Sequence, residues 1–589
     1  MNSDTVSTGK YLSERLVSAG VTHVFTVPGD FTLPLLDELC AEPKLEVVGC
    51  CNELNAGYAV DGYCRTTGKI GCIVVTFMVG SLSALNAMAG AYSDNLPVLI
   101  VVGSPNSNDV ATCHTVHHTI GPTELPQSSQ CFRSVVGKTL RIQNLCEAQE
   151  RIDESLYLCG ARRKPIYLEL PCDMIQQQVG RPVPLSAEYF ESKIWTDPKA
   201  LQTACEDLQG MMQNTENIVL VAGSQLRTTQ AKQEFLALAN ALSCAVAIMP
   251  DAKGLFSEEH PQFVGCYWGD ISSHHVQSCI DSADLVLVAG GVLTDYSTVG
   301  WTTSFCVQKT VYLDIHHIST ATRRYPRINL KHILAELTRL APSRPESLTN
   351  FRRNYTINGE TVGTAVSTGS SEQDGSSSLN LRFLLKQLQS TVSSGGVSSL
   401  VVEVGDAWFM GQELKLPEGV DYHVQLQYGS CGWALGACLG VALGQQYHAM
   451  EASTDTTTVT KQQQQRVLAL IGDGSFQFSA QALSTLIRNN ANLTIVLLNN
   501  GVYTIERQIH DGPYNQIPNW KYAQLVEVFR GDNTTAQGVK VITNEELVNA
   551  LERSAHHQGV LLVECCLSPD DCTSNLRAWG AKVAAANVR

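Results

Sequence analysis

Short runs of β-branched and other apolar residues recur along the chain, each followed by a glycine-containing turn and then an amphipathic stretch; Ile73 to Thr76, Val98 to Val102, Ile218 to Ala222 and Leu285 to Ala289 are examples. Strands that alternate with helices pair in parallel, because each helix carries the chain back across the sheet to start the next strand. The pattern therefore predicts an α/β protein of doubly wound parallel sheets. At 589 residues the chain exceeds what one hydrophobic core serves. A guide of roughly 150 residues per domain predicts several such sheets.

Three domains are expected. Residues 361–379 are dominated by Ser, Gly and Thr, a composition too poor in large apolar residues to order itself, and read as a linker. A softer boundary falls near residue 190, where Pro182 and Pro184 follow the strand-like run Pro165 to Leu170. The expected division is an N-terminal domain over 1–190, a central domain over 191–360, the linker, and a C-terminal domain over 380–589. A Thr- and Gln-rich stretch at 451–465 interrupts the last domain just before the run Val467 to Ile471 and reads as a surface insertion without chemistry.

Composition excludes several classes. Forty-one basic against 56 acidic residues give a net charge of −15, which repels a nucleic-acid backbone, and no basic patch offsets it. No apolar run approaches the ~20 residues needed to span a bilayer, and Met1 to Lys10 lacks the regions of a signal peptide, so a cytoplasmic protein is expected. In that compartment the 20 cysteines read as reduced, mostly buried thiols, with Cys50-Cys51 and Cys565-Cys566 inside apolar strand-like runs.

The most informative segment runs from Val467 to Asn500. The apolar run to Ile471 leads into Gly472-Asp473-Gly474-Ser475, then a helical stretch, then Thr494 to Leu498 and Asn499-Asn500. In parallel sheets ligands bind beyond the carboxyl ends of strands, so Asp473 and Asn500, although 27 positions apart, converge on one hard cation such as Mg2+, which prefers oxygen. The glycines beside Asp473 allow close backbone approach by a diphosphate at the helix N-terminus.

Further segments extend this unit: Pro28-Gly-Asp30, Asn52-Glu-Leu-Asn-Ala-Gly-Tyr58, His117-His118, Asp295-Tyr-Ser-Thr298, Gly405-Asp-Ala-Trp-Phe409, Tyr503-Thr-Ile-Glu506, Tyr514-Asn515, Asn519-Trp520, Cys572-Thr573 and Trp579-Gly580. Together they make nearly the whole chain resemble the thiamine diphosphate-dependent 2-keto acid decarboxylases, and within them the bacterial and plant-type pyruvate decarboxylases. The resemblance implies the thiamine diphosphate-binding fold, with a pyrimidine-binding N-terminal domain and a diphosphate-binding C-terminal domain. It implies thiamine diphosphate and Mg2+ as cofactors, and a dimer or tetramer whose sites lie between subunits. The implied reaction is non-oxidative decarboxylation of pyruvate to acetaldehyde and CO2 through the cofactor's ylide.

Residue by residue, the resemblance sets Glu53 against the cofactor's aminopyrimidine and gives Asp30, His117, His118 and Glu506 the handling of protons at the reacting centre. It places Val79, Gly429, Cys431, Gly472, Asp473, Gly474, Ser475, Asn500 and Ile505 around the cofactor. Asp473, Asn500 and the backbone carbonyl of Val502 would hold the metal. Ile505 and Ile509 beside Glu506 are expected to give it an apolar setting that favours a proton.

Two positions depart from the pattern. Cys431 stands where relatives carry a larger aliphatic wedge, and Val502 replaces a glycine, raising the question of positive φ at a β-branched residue. The stretch from Glu124 to Ser129 also departs and yields no assignment. Tyr296, Trp408, Ile505 and Ile509 match positions that narrow the substrate pocket, which favours pyruvate over indolepyruvate or phenylpyruvate. The alternatives are a broad 2-keto acid decarboxylase and a catalytically silent cofactor-binding homologue. The turn Ala222-Gly-Ser-Gln-Leu226 lacks the regulatory cysteine of substrate-activated relatives, so hyperbolic kinetics are expected.

Overall fold

The computed structural model describes residues 4–121, 126–190, 196–273, 275–303, 305–342, 378–452 and 466–588. The first boundary and most of the expected linker and insertion lie outside them. Of the linker, Ser378 and Leu379 pair with Thr543 and Ile542 and so join the C-terminal domain. The insertion's first two residues complete the helix Trp433–Ala452.

The N-terminal sheet comprises β2 (His23–Thr26), β3 (Glu46–Gly49), β4 (Gly71–Thr76), β5 (Val98–Ser104), β6 (Lys138–Arg141) and β7 (Ile166–Pro171), in the order β3-β2-β4-β5-β7-β6 and wholly parallel. A two-stranded antiparallel ribbon, β1 (Thr5–Ser7) with β8 (Gln178–Gly180), ties the ends of this domain together. The C-terminal sheet repeats the winding with β16 (Val397–Val402), β17 (Asp421–His423), β18 (Arg466–Gly472), β19 (Leu493–Asn499), β20 (Gln537–Val541) and β21 (Val560–Cys566), in the order β17-β16-β18-β19-β21-β20. Each sheet reverses its winding between β2 and β4 and between β16 and β18, and again at its far edge, where β7 precedes β6 and β21 precedes β20. Crevices beyond the carboxyl ends of strands at such reversals are where open α/β sheets bind ligands.

The central sheet contains β9 (Ile218–Ala222), β10 (Ala245–Ile248), β11 (Phe263–Cys266), β12 (Leu285–Ala289) and β13 (Thr310–Leu313), all parallel. Beyond β13 it ends in two antiparallel strands, β14 (His317–Ser319) and β15 (Arg324–Pro326). This edge qualifies the parallel expectation. Short strands bearing Arg and Pro make poor templates for further pairing, which suits an edge.

The inner strands are apolar runs buried along their length, as helices on both faces require. The N- and C-terminal domains also share a core through the helices Glu53–Thr67 and Trp433–Ala452. A Cβ on Gly440 would stand 1.8 Å from the Ala59 carbonyl oxygen and one on Gly62 would stand 2.2 Å from that of Ala437, so glycine is what lets the backbones meet. Beside this seam Asp61 is buried, held by Arg65 at 2.6 Å and by the Trp433 indole N–H at 3.0 Å.

All 20 cysteines are free, but the expectation of mostly buried thiols needs correction: nine are buried and seven, including Cys51 and Cys431, are exposed. Cys50 and Cys51 lie beyond the end of β3, because the Asn52 side chain caps the next helix by accepting the Leu54 N–H and turns the chain outward there.

Candidate active site

In the C-terminal domain, Asp473 follows β18 and opens the helix Asp473–Ser479. Its Oδ1 accepts the Gly474 N–H at 2.8 Å, and its Oδ2 accepts those of Asn500 at 3.1 Å and Gly501 at 2.6 Å. The two strand ends are thus joined through one carboxylate. Asn500 Oδ1 accepts the Val502 N–H at 3.2 Å, and its Nδ2 donates to Thr504 Oγ1 at 2.6 Å. Val502 is not among the residues with positive φ, so a β-branched side chain is accommodated without strain.

This pocket has the chemistry of a cation and diphosphate seat. Asp473 is buried without a basic partner, and burial pushes its carboxyl up to about 6 against the backbone donors that favour its charge. Oδ1, which accepts a single N–H, keeps a further lone pair for a metal. Gly405, Gly472 and Gly501, at the ends of β16, β18 and β19, would each direct a Cβ into open space. Ser475 donates to the Val404 carbonyl at 3.3 Å, fixing the first two of these turns against each other. A cleft of about 730 Å³ opens beside Asn500, Gly501 and Val502.

In the loop after β17, Gly429 has φ of +61°, and a Cβ there would stand 3.6 Å from the Trp408 ring. Cys431 follows at the surface of the chain, and the Ser430 hydroxyl meets that of Tyr58 at 2.6 Å. Sequence reasoning missed Glu403, which is fully buried and accepts the N–H groups of Val404 and Ala434, both at 2.8 Å. Its signal was an acid closing the apolar run of β16.

Tyr296, Trp408, Ile505 and Ile509 come together in one apolar cluster. The Tyr296 ring meets Trp408 edge-on at 6.1 Å and Trp579 at 4.8 Å. Trp579, on the C-terminal helix Ser574–Asn587, is a wall residue to which the sequence reading gave no role. Ile505 and Ile509 pack inward from the helix Thr504–Ile509, whereas Glu506 on the same helix is exposed, so within one chain its expected apolar setting is not made.

The remaining predicted residues gather in the N-terminal domain, again beyond the carboxyl ends of strands. His117 Nε2 lies 2.8 Å from Asp30 Oδ2, and His118 Nε2 lies 3.7 Å from Asp30 Oδ1. Glu53 begins its helix half-buried, and a Cβ on Gly80 would come within 3.1 Å of its carboxylate. Val79, at the start of the neighbouring helix, is exposed. Among the described residues, no hydrogen bond or ion pair links Asp30, Glu53, His117 or His118 to Asp473, Asn500 or Glu506. Within one chain these residues therefore form two separate groups.

The domain models of the thiamine pyrophosphate enzymes match all three sheets: the N-terminal TPP binding domain at residues 6–125, the central domain at 205–338 and the C-terminal TPP binding domain at 403–565. The chain belongs to this family. Thiamine pyrophosphate is thiamine diphosphate, and the two TPP binding domain matches contain the two groups of residues described above. Over 591 residues the chain is 40% identical to "Pyruvate decarboxylase 2" of Oryza sativa subsp. japonica, covering 99% of this chain and 92% of the rice protein. It is 39% identical over 589 residues to "Pyruvate decarboxylase 1" of Arabidopsis thaliana, covering 99% and 91%. Against "Pyruvate decarboxylase 1" of Pisum sativum it is 38% identical over 588 residues, covering 99% and 94%.

The described residues contain no helix long and apolar enough to cross a membrane. A cavity of about 40 Å³ at the junction of the three domains is lined by Ser224 and Gln225 from the turn after β9 and by Arg65, Arg227 and Asp251. Its one cysteine, Cys64, is buried, and burial pushes the thiol up to about 12, far from a nucleophile at neutral pH.

Proposed function

We propose that this chain decarboxylates pyruvate to acetaldehyde and CO2, using thiamine diphosphate and Mg2+. The observation that carries the reading is the convergence of Asp473 with the Asn500–Val502 loop beside glycines that face open space. Asp473, Asn500 and the Val502 carbonyl would hold Mg2+, with Gly472, Gly474 and Ser475 beside the diphosphate. Gly429 and Cys431 would support the rest of the cofactor, and Glu53 and Val79 would come from a second copy of the chain. Bound there, thiamine diphosphate supplies the nucleophilic carbon and the electron sink that decarboxylation requires.

The protein's residues do the rest. Glu53 holds a proton against the aminopyrimidine. Asp30, His117, His118 and Glu506 pass protons at the substrate carbon and carboxylate. The exposure of Asp30, His117, Cys431 and Glu506 in one chain fits half-sites that close on each other in a dimer, or in a tetramer built from dimers. Closure would exclude water and lower the cost of spreading the carboxylate's charge.

The clustering of Tyr296, Trp408, Ile505 and Ile509 supports a small 2-keto acid, because an aromatic substrate would have to displace packed side chains. The net charge of −15 accords with a cytoplasmic enzyme that binds no nucleic acid. With Cys64 as the only thiol of the junction cavity, the rate should rise hyperbolically with pyruvate.

The test is acetaldehyde formation from pyruvate by the purified protein, with both cofactors supplied, either omitted, or both omitted. Formation only when both are present supports the reading. No acetaldehyde in the presence of bound cofactor overturns it.

A further inference from the structure

We propose that Asp30, His117 and His118 form a second cation site, selective for a zinc-class ion over Mg2+, and that its occupation blocks turnover. The ligand atoms of the three side chains all lie within 4.8 Å of one another. Consecutive side chains on an extended backbone point to opposite sides. Here His118 adopts φ of +64°, a left-handed turn that swings the two imidazoles together, with ring centroids 4.4 Å apart. Phe31 stacks on His117 at 4.9 Å and fixes the plane of that ring. Asp30 faces both rings, one carboxylate oxygen toward each Nε2.

Two imidazole nitrogens and one carboxylate oxygen match Zn2+ or Co2+, which bind nitrogen at about 2.0–2.1 Å and often leave a fourth position open in three-ligand sites. Donor atoms around a tetrahedral ion stand roughly 3.3 Å apart, and the two Asp30–imidazole separations, 2.8 and 3.7 Å, bracket that spacing. Mg2+ demands oxygen ligands throughout, which Asp473, Asn500 and Val502 offer, whereas this cluster offers one oxygen against two nitrogens. The two sites thus differ in chemistry as well as in domain.

Binding stands on this geometry alone, whereas inhibition rests on the proton-handling role proposed above. An imidazole whose nitrogen holds a metal cannot exchange a proton there. The site would make the enzyme sensitive to free zinc while Mg2+ is saturating.

The experiment uses the full-length holoprotein with excess Mg2+ and thiamine diphosphate, titrated with Co2+ as a spectroscopic probe and, in parallel, with Zn2+ in the decarboxylation assay. The expected result is one equivalent of Co2+ with visible d–d bands and no thiolate charge-transfer band. That equivalent should be lost in the H117N/H118N double variant and in Asp30→Asn, and kept in Asp473→Asn. Zn2+ should abolish turnover competitively with the keto acid. The site is overturned if the bands carry thiolate character or persist in both variants that remove its ligands. Binding with unchanged turnover overturns the inhibition and leaves the site standing.

Discussion

The carboxylate of Glu403 accepts the backbone N–H of Ala434 at 2.8 Å, tying the end of β16 to the helix that follows the Gly429–Gly432 loop. The group is fully buried without a cationic partner, and burial pushes its pKa from 4.5 up to about 7. Between those values the folded chain holds a proton that the unfolded chain has released. Its contribution is therefore most favourable below about pH 4.5, declines as pH rises through 7 and is constant above. Glu403→Gln should remove this dependence. Relative to the parent, the variant's melting temperature should rise from pH 5 through about pH 7 and then level off, and a constant difference across that range would contradict the assignment.

Glu506 is exposed on a helix whose isoleucines face the apolar wall. Glu506→Gln should lower kcat by about 10²- to 10⁴-fold, the usual contribution of a general acid or base. Thiamine diphosphate affinity, measured by calorimetry, should change little. A fully active Gln variant would remove Glu506 from the mechanism.

The proposed sharing of each site between two chains predicts complementation between inactive variants. Glu53→Gln and Asp473→Asn should each be inactive, but a hybrid dimer of the two contains one site with both native halves. Random reassortment should recover about one quarter of parental activity, since half the dimers are hybrids with one working site of two. No recovery after demonstrated subunit exchange would mean that each chain completes its own site.

Ile509 packs half-buried on the apolar cluster of Tyr296 and Trp408, so if that cluster walls the substrate pocket as proposed, its truncation should widen the pocket without unfolding the domain. Ile509→Ala should shift the ratio of kcat/KM for indolepyruvate to that for pyruvate upward by about tenfold or more, within the range expected for lost hydrocarbon packing. An unchanged ratio would place the specificity elsewhere.

Much of this architecture was legible because parallel strands covered on both faces must be apolar throughout. The runs Ile218 to Ala222 and Leu285 to Ala289 coincide with β9 and β12. By contrast β14 and β15 carry His, Arg and Pro over three residues each and leave no periodic signal. Asp473 and Asn500 could be paired because one strand-helix-strand unit carries both. Glu403 could not be singled out, since an acid at a strand end reads as solvated unless the donors from Val404 and Ala434 are known. Trp579 reaches Tyr296 across 283 positions of sequence, a contact no local pattern encodes.

The central claim is pyruvate decarboxylation in a filled pocket, and the most direct measurement is kcat/KM for pyruvate and for indolepyruvate on one preparation saturated with thiamine diphosphate and Mg2+. The account predicts efficient acetaldehyde production and little turnover of indolepyruvate. Preference for indolepyruvate, or no turnover of either by cofactor-loaded protein, would contradict it.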